Sequence, residues 1–294
     1  MLDVVLALLP ALAVGIYVQG IRAALIVVTS MAAAVATEYF YALLTKKRNT
    51  VVDCSALVTG LLLAMTLPVS VPVYVPIIGS VFAILVVKAM FGGLGQNVFN
   101  PALAARAALV LLFPTAMTRY PALGVDGVTG ATPLHHMVMP GLPKESILDM
   151  LLGNCPGSIG EISALALLLG GGYLLARKVI SIRIPGSYLG TVAVLTLIFH
   201  KTDAPLAWMA YSLLSGGVML GAIFMATDYA TSPVTARGQV VYGIGCGALT
   251  VFFRYFGIFP EGVTYAILLM NACVWLIDRY TPPRRFGVKK GANV

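Results

Sequence analysis

Four short strings hold most of the residues whose types and spacing could do chemistry. In Asp126-Gly-Val-Thr-Gly-Ala-Thr-Pro133, Asp and Gly start a turn, small residues follow and Pro stops it. Taken alone the string is a turn, and its Thr129-Gly130-Ala131-Thr132 core arises by chance in about one chain in a hundred of this length. In Phe91-Gly-Gly-Leu-Gly-Gln-Asn-Val-Phe-Asn-Pro101, three glycines allow tight turns. Gln96, Asn97 and Asn100 there supply donors and acceptors where Pro101 opens a helix. Arg106 follows about two turns into an apolar run, where an unpaired cation costs at least ~2.5 kcal/mol and calls for a partner or a ligand. The segment is either a capped re-entrant turn or a ligand contact. In Pro156-Gly-Ser-Ile-Gly-Glu-Ile-Ser163, the backbone N–H groups around Ser158 and Gly160 suit an anion, opposed by Glu161, or else simply cap the next helix. The fourth string, Ala226-Thr-Asp-Tyr-Ala-Thr-Ser-Pro233, reads as a structural turn with Asp228 as its cap.

Other chemistries are poorly supplied. The four cysteines, Cys54, Cys155, Cys246 and Cys273, are scattered, with no CxxC pair and no His at ligand spacing, which supports neither a metal site nor a disulfide framework. No dinucleotide fingerprint follows a strand pattern. The net charge of +8 comes from short basic clusters beside apolar runs rather than from an aromatic-interleaved stripe, so a nucleic-acid partner is not expected.

The elements that must position these residues are membrane helices. Hydrophobic residues make up 59% of the 294 and charged residues 10%, against roughly 25% charged in soluble domains. Repeated apolar runs approach the length that crosses a ~30 Å hydrocarbon core. The pattern predicts an all-α integral membrane protein of about ten transmembrane helices, at 4–19, 22–44, 52–68, 72–90, 99–114, 162–176, 187–200, 206–226, 239–257 and 262–278. The first run is expected to be a retained span rather than a cleavable signal. If the N-terminus is cytoplasmic, the inner loops hold Lys46, Lys47, Arg48, Lys88, Arg177, Lys178, Arg183, Arg237, Arg279, Arg284, Arg285, Lys289 and Lys290, 13 of the 19 basic residues. Both ends are therefore expected inside.

Residues 115–160 form the single long loop, facing outward, and 279–294 a basic cytoplasmic tail. Gly60-Leu-Leu-Leu-Ala-Met-Thr66 matches Gly221-Ala-Ile-Phe-Met-Ala-Thr227, which suggests a duplication. Five spans per copy would make it an inverted repeat, 1–114 against 161–278.

Together the strings FGGLGQNVFNPALAARAA, DGVTGATPL, GSIGEIS and MATDYATSP resemble the RnfD/NqrB family in order and separation, over nearly the whole chain. That family comprises membrane subunits of the Rnf ion-translocating ferredoxin:NAD oxidoreductase and, more distantly, of sodium-pumping NADH:quinone oxidoreductase. The polar extension that the resemblance leads one to expect before the first span is absent.

The resemblance implies a multi-pass subunit of a prokaryotic plasma membrane that carries electrons in a complex moving Na+ or H+. Its last motif threonine, here Thr132, would carry FMN through a phosphoester made by a flavin transferase, with Asp126, Thr129, Gly130 and Ala131 around it. Riboflavin is a second implied cofactor, with Asn97 and Asn100 as contacts; Ser158, Gly160 and Arg106 are further candidates. Implied partners are the other Rnf-type membrane subunits, an outer flavoprotein subunit and cytoplasmic iron–sulfur and NADH-binding subunits. A channel or carrier for a small solute is the alternative, since inverted five-plus-five bundles suit that task too.

Overall fold

The computed structural model describes residues 1–46, 51–93, 95–121, 129–130, 132–136, 141–143, 145–257 and 261–282. Its first part runs α1 (Leu2–Gln19), α2 (Ile21–Thr45), α3 (Ser55–Met65), α4 (Tyr74–Phe82, continuing as a π-helical stretch Ala83–Ala89) and α5 (Pro101–Leu112). Short pieces follow: α6 (Pro114–Met117), the antiparallel pair β1 (Tyr120–Pro121) and β2 (Thr129–Gly130), α7 (Pro133–His136) and α8 (Ile147–Leu152). The rest is α9 (Ala164–Ala176), α10 (Arg183–Ile198), α11 (Pro205–Leu214), α12 (Val218–Leu220, continuing as π-helical Gly221–Met225), α13 (Ala236–Phe256) and α14 (Val263–Tyr280).

Local chemistry explains the helix starts. Asn100 caps α5 through its side-chain oxygen, which accepts from the N–H of Ala102 at 3.1 Å and Leu103 at 3.3 Å, and Pro101 occupies the first turn where no N–H is needed. Ser163 caps α9 and Thr235 caps α13 in the same way. Ser146 and Asp149 form a reciprocal capping box on α8. Those hydrogen bonds hold the exposed Asp149 carboxyl below the usual aspartate range.

The chain is a helical membrane protein in its coarse outline. Among the described residues, α1 and α2 are each long and apolar enough to cross a membrane, and α11 with α12 would add a third if the bent pair is one span. Leu6, Leu43, Leu44, Leu111, Leu112 and Leu169 point outward and are exposed, a surface suited to hydrocarbon.

Two expected spans are different from their sequence reading. The 52–68 segment is helical only over the 11 residues of α3, about 16 Å at 1.5 Å per residue. The 206–226 segment is bent by 62° between α11 and α12, because Gly216 and Gly217 both take positive φ, +62° and +68°, where a helix cannot continue.

The packing is pairwise. Helix α2 lies against α3 and α4, α10 against α11 and α13, α1 crosses α9, and α5 touches α14. The main core runs through all of these, from Leu8 and Ile26 to Leu63, Leu103, Tyr188, Ile223 and Ile267.

Candidate cofactor sites

Arg106 is buried on α5 and meets two carboxylates from distant parts of the chain. Its guanidinium lies 3.4 Å from Glu161, just before α9, and closer to Glu261, just before α14. The Tyr120 hydroxyl of β1 donates to Glu261 at 2.6 Å. A cation that would be costly alone thus has the partners its burial demands. Around it lies a cavity of about 250 Å3 lined by Thr66, Arg106, Glu161, Gly217 and Glu261.

A second cavity, of about 330 Å3, shares Glu161, Glu261 and Gly216 with the first and is lined on its far side by Thr132, Leu134, Cys155 and Gly157. Thr132 is half-buried at this cavity, and its hydroxyl oxygen accepts from the His135 N–H at 3.3 Å. Bonding an acceptor lone pair leaves the O–H proton of Thr132 available for replacement. Burial pushes the Cys155 thiol up to about 12, so beside Thr132 it is a protonated, unreactive neighbour.

The loop before α9 does not hold an anion in the way its glycines suggest. The N–H of Gly160 donates to the carbonyl of Met65 at 2.7 Å, and that of Ile159 to Leu67 at 3.1 Å. These bonds close the C-terminal end of α3. A Cβ on Gly160 would lie 2.7 Å from the Cβ of Met65, so the glycine is needed for approach. Ser158 is fully buried beside Glu161, and the cap of α9 is Ser163 rather than Glu161.

At the other ends of the helices lies a cleft of about 810 Å3, counted out to its mouth. Val58, Leu62, Leu174, Ile180 and Phe224 supply apolar walls, and Asn97, Asn100, Lys88, Thr227 and Asp228 supply polar groups. Lys88 donates to Glu38 at 2.7 Å and to Ser55 at 2.6 Å, all three buried. The Asn100 amide donates to the carbonyl of Met225 at 3.2 Å, closing the end of the second π-helical stretch. Asn97 bonds only locally, to the Phe99 carbonyl at 3.1 Å.

The structure therefore divides residues that the sequence grouped. Asn97 and Asn100 belong to the cleft. Arg106, six residues after Asn100 and so about 9 Å along α5, belongs to the cluster beside Thr132. Asp126 and Ala131 lie outside the described residues, Gly130 lies in β2, and Thr129 is placed there by its backbone alone. Sequence reasoning missed Lys88 as a partner for Glu38, although a lysine inside the apolar run 72–90 was a signal. It also missed Tyr120 and Glu261 as the other side of the Arg106 cluster.

This combination of two glycine-rich helix starts, each closing a short helix far away in sequence, is matched among known proteins. Residues 1–287 match the NQR2, RnfD, RnfE family. The chain belongs to that family. The RnfD component of the Na(+)-translocating ferredoxin:NAD(+) oxidoreductase complex of Acetobacterium woodii is 50% identical, with 99% of this chain and 91% of the relative covered. Its counterpart in the proton-translocating ferredoxin:NAD(+) oxidoreductase complex of Clostridium ljungdahlii is 45% identical, covering 99% and 92%. The counterpart in an ion-translocating oxidoreductase complex of Stutzerimonas stutzeri is 41% identical, covering 98% and 91%. All three relatives are named as parts of larger assemblies.

Proposed function

We propose that this chain is the membrane-embedded, flavin-carrying electron-transfer subunit of an Rnf-type complex. In that assembly, ferredoxin:NAD electron transfer drives Na+ or H+ across a prokaryotic plasma membrane. The observation that carries the reading is the placement of Thr132. The motif threonine that the resemblance marks for FMN stands at a cavity floored by Glu161 and Glu261, next to the buried Arg106. At about 330 Å3 the cavity falls at the lower end of small-ligand sites, with Gly157 and Gly216 leaving its walls open. Flavins supply one- and two-electron transfer, and a protein tunes them by hydrogen bonds and nearby charge. Here Thr132 holds the phosphoester, Pro133 and Leu134 hold the turn, and the Arg106 cluster sets the local charge.

The cleft at the opposite helix ends suits a riboflavin-like second group. Its apolar walls match a flat ring system, and Asn97 offers an amide to a ring edge, while Asn100 holds the backbone that shapes the floor. Other Rnf-type subunits, including an outer flavoprotein and cytoplasmic iron–sulfur and NADH-binding subunits, are the proposed electron donors and acceptors. A flavin transferase is the proposed maturation partner.

The ten-span inverted-repeat reading, 1–114 against 161–278, is supported by where the ends meet. Gln19 reaches Gly157, Arg22 reaches Ser70, Tyr120 reaches Glu261 and Tyr255 reaches Phe199 at one end. Asp3 meets Arg177, Glu38 meets Lys88, Ser181 meets Gln239 and Thr235 meets Thr281 at the other. The second end also collects most of the basic residues, which favours placing it in the cytoplasm with both termini.

Thr132→Val tests the flavin assignment. Co-expressed with a flavin transferase and run on a denaturing gel, the wild-type chain is expected to fluoresce and gain about one FMN in mass, and Thr132→Val to do neither. Fluorescence that persists in the variant removes the assignment.

A further inference from the structure

The α11–α12 break leaves the carbonyl end of α11 without helical partners, and a buried arginine meets it. Arg254 of α13 donates through Nη1 to Ser212 O at 2.5 Å and through Nη2 to Ser215 O at 2.7 Å and Gly216 O at 3.3 Å. The three bonds tie down the backbone at the point where it turns. Gly216, held there at φ +62°, presents a seat with no side chain, and Leu134 fills it. The Cδ2 atom of Leu134 occupies the space a Cβ on Gly216 would take, its Cγ is 3.3 Å from that point, and Nη2 of Arg254 is 3.0 Å from it. Leu134 is 4% exposed although it belongs to the connecting segment between α5 and α9, and Thr132 lies two residues before it.

We propose that Arg254 is a positioning residue for Thr132. By fixing the α11–α12 break it keeps the Gly216 seat open, Leu134 docks in that seat, and the docked leucine holds Thr132 at the cavity it shares with Glu161 and Glu261. The purpose of this device rests on the reading of Thr132 as the flavin-bearing residue, but the docking itself does not. Of the neighbours of Leu134, Pro133 is buried beside the same cavity and His135 is exposed. Loss of the leucine side chain therefore frees Thr132, whereas a side chain of equal volume and similar polarity keeps it.

Thiol labelling of the full-length chain tests the docking without a flavin. Thr132→Cys is introduced, and the rate of maleimide modification at position 132 is read by peptide mass in detergent, against the exposed Cys273 of the same molecule. Leu134→Ala and Arg254→Met are each expected to raise the rate at 132 by about tenfold, the factor that corresponds to roughly 1.4 kcal/mol of docking lost. Cys273 should keep its rate, and Leu134→Met should restore slow labelling at 132.

An unchanged rate in Leu134→Ala overturns the docking, and an unchanged rate in Arg254→Met overturns the role of the arginine. Should Arg254→Met not assemble, Gly216→Ala keeps the guanidinium and fills the seat. It too must speed labelling at 132, and failure to do so overturns the proposal. Because the labelled chain needs no FMN, a non-fluorescent wild-type chain would sink the flavin reading and leave this one to be judged on its own rates.

Discussion

The guanidinium of Arg106 and the carboxylate of Glu161 face each other across 3.4 Å and 55 residues of sequence. One lies in the last helix of the first half and the other at the start of the second, so the pair joins the two halves beside Thr132. With Glu261 on the same guanidinium, one cation serves two carboxylates.

Removing that cation is expected to be costly. Arg106→Met leaves Glu161 buried without its counter-charge, and the loss should reach about 3 kcal/mol, as for other buried pairs broken on one side. Thermal unfolding in detergent checks it. Adding Glu161→Gln to Arg106→Met should recover part of the loss, and a double variant no more stable than Arg106→Met would deny the pairing its energetic role.

The two asparagines should separate into a structural and a ligand-binding residue. Asn100→Leu removes the α5 cap and the bond to Met225 O, and is expected to cost about 1–2 kcal/mol. Asn97→Leu breaks only a local bond and should leave the melting temperature close to wild type. Flavin released on denaturation, counted per chain, should fall in Asn97→Leu. Equal flavin content in that variant and the wild type would count against the cleft as a riboflavin site.

Topology is open to labelling in intact cells. An impermeant thiol reagent should reach Ser146→Cys, at the exposed cap of α8, and should reach Val179→Cys, exposed between α9 and α10, only after permeabilisation. The reverse pattern would place Thr132 in the cytoplasm.

The α8 capping box carries a pH dependence of defined sign. Hydrogen bonds from Ser146 hold the folded Asp149 pKa below its ordinary value of 3.8. Its stabilising effect is therefore fully present above the ordinary value and is lost as pH falls through the lowered folded one. The melting temperatures of wild type and Asp149→Asn should differ at neutral pH and converge in acid. A gap that widens as pH falls would contradict the cap.

Arg106 was legible because a cation inside an apolar run demands an explanation, and its carboxylates were not, because they sit 55 and 155 residues away in connecting segments that look like solvent loops. Asn100 and Pro101 announced the start of α5 by type alone. The break after α11 was hidden because Leu213-Leu-Ser-Gly-Gly-Val218 keeps an apolar character throughout, and only the adjacent glycines hint at the bend. The GSIG string misled for a physical reason: its N–H groups do seek acceptors, but they find the carbonyls of Met65 and Leu67 rather than an anion. Nothing local in the sequence could show that α3 ends there.

The reciprocal closure of the short helices bears on how the chain is made. The end of α3 is completed by Ile159 and Gly160, about a hundred residues downstream, and the end of the second π-helical stretch by Asn100, well upstream. A nascent chain released into the bilayer after α5 would expose the Met65 and Leu67 carbonyls to lipid, at about 1–3 kcal/mol for each group left unmet. Synthesis of the first half therefore yields an intermediate that must be sheltered by the insertion machinery until α9 arrives. Fragments ending before residue 159 should be prone to degradation, and two fragments split in the long loop should each stabilise the other when expressed together.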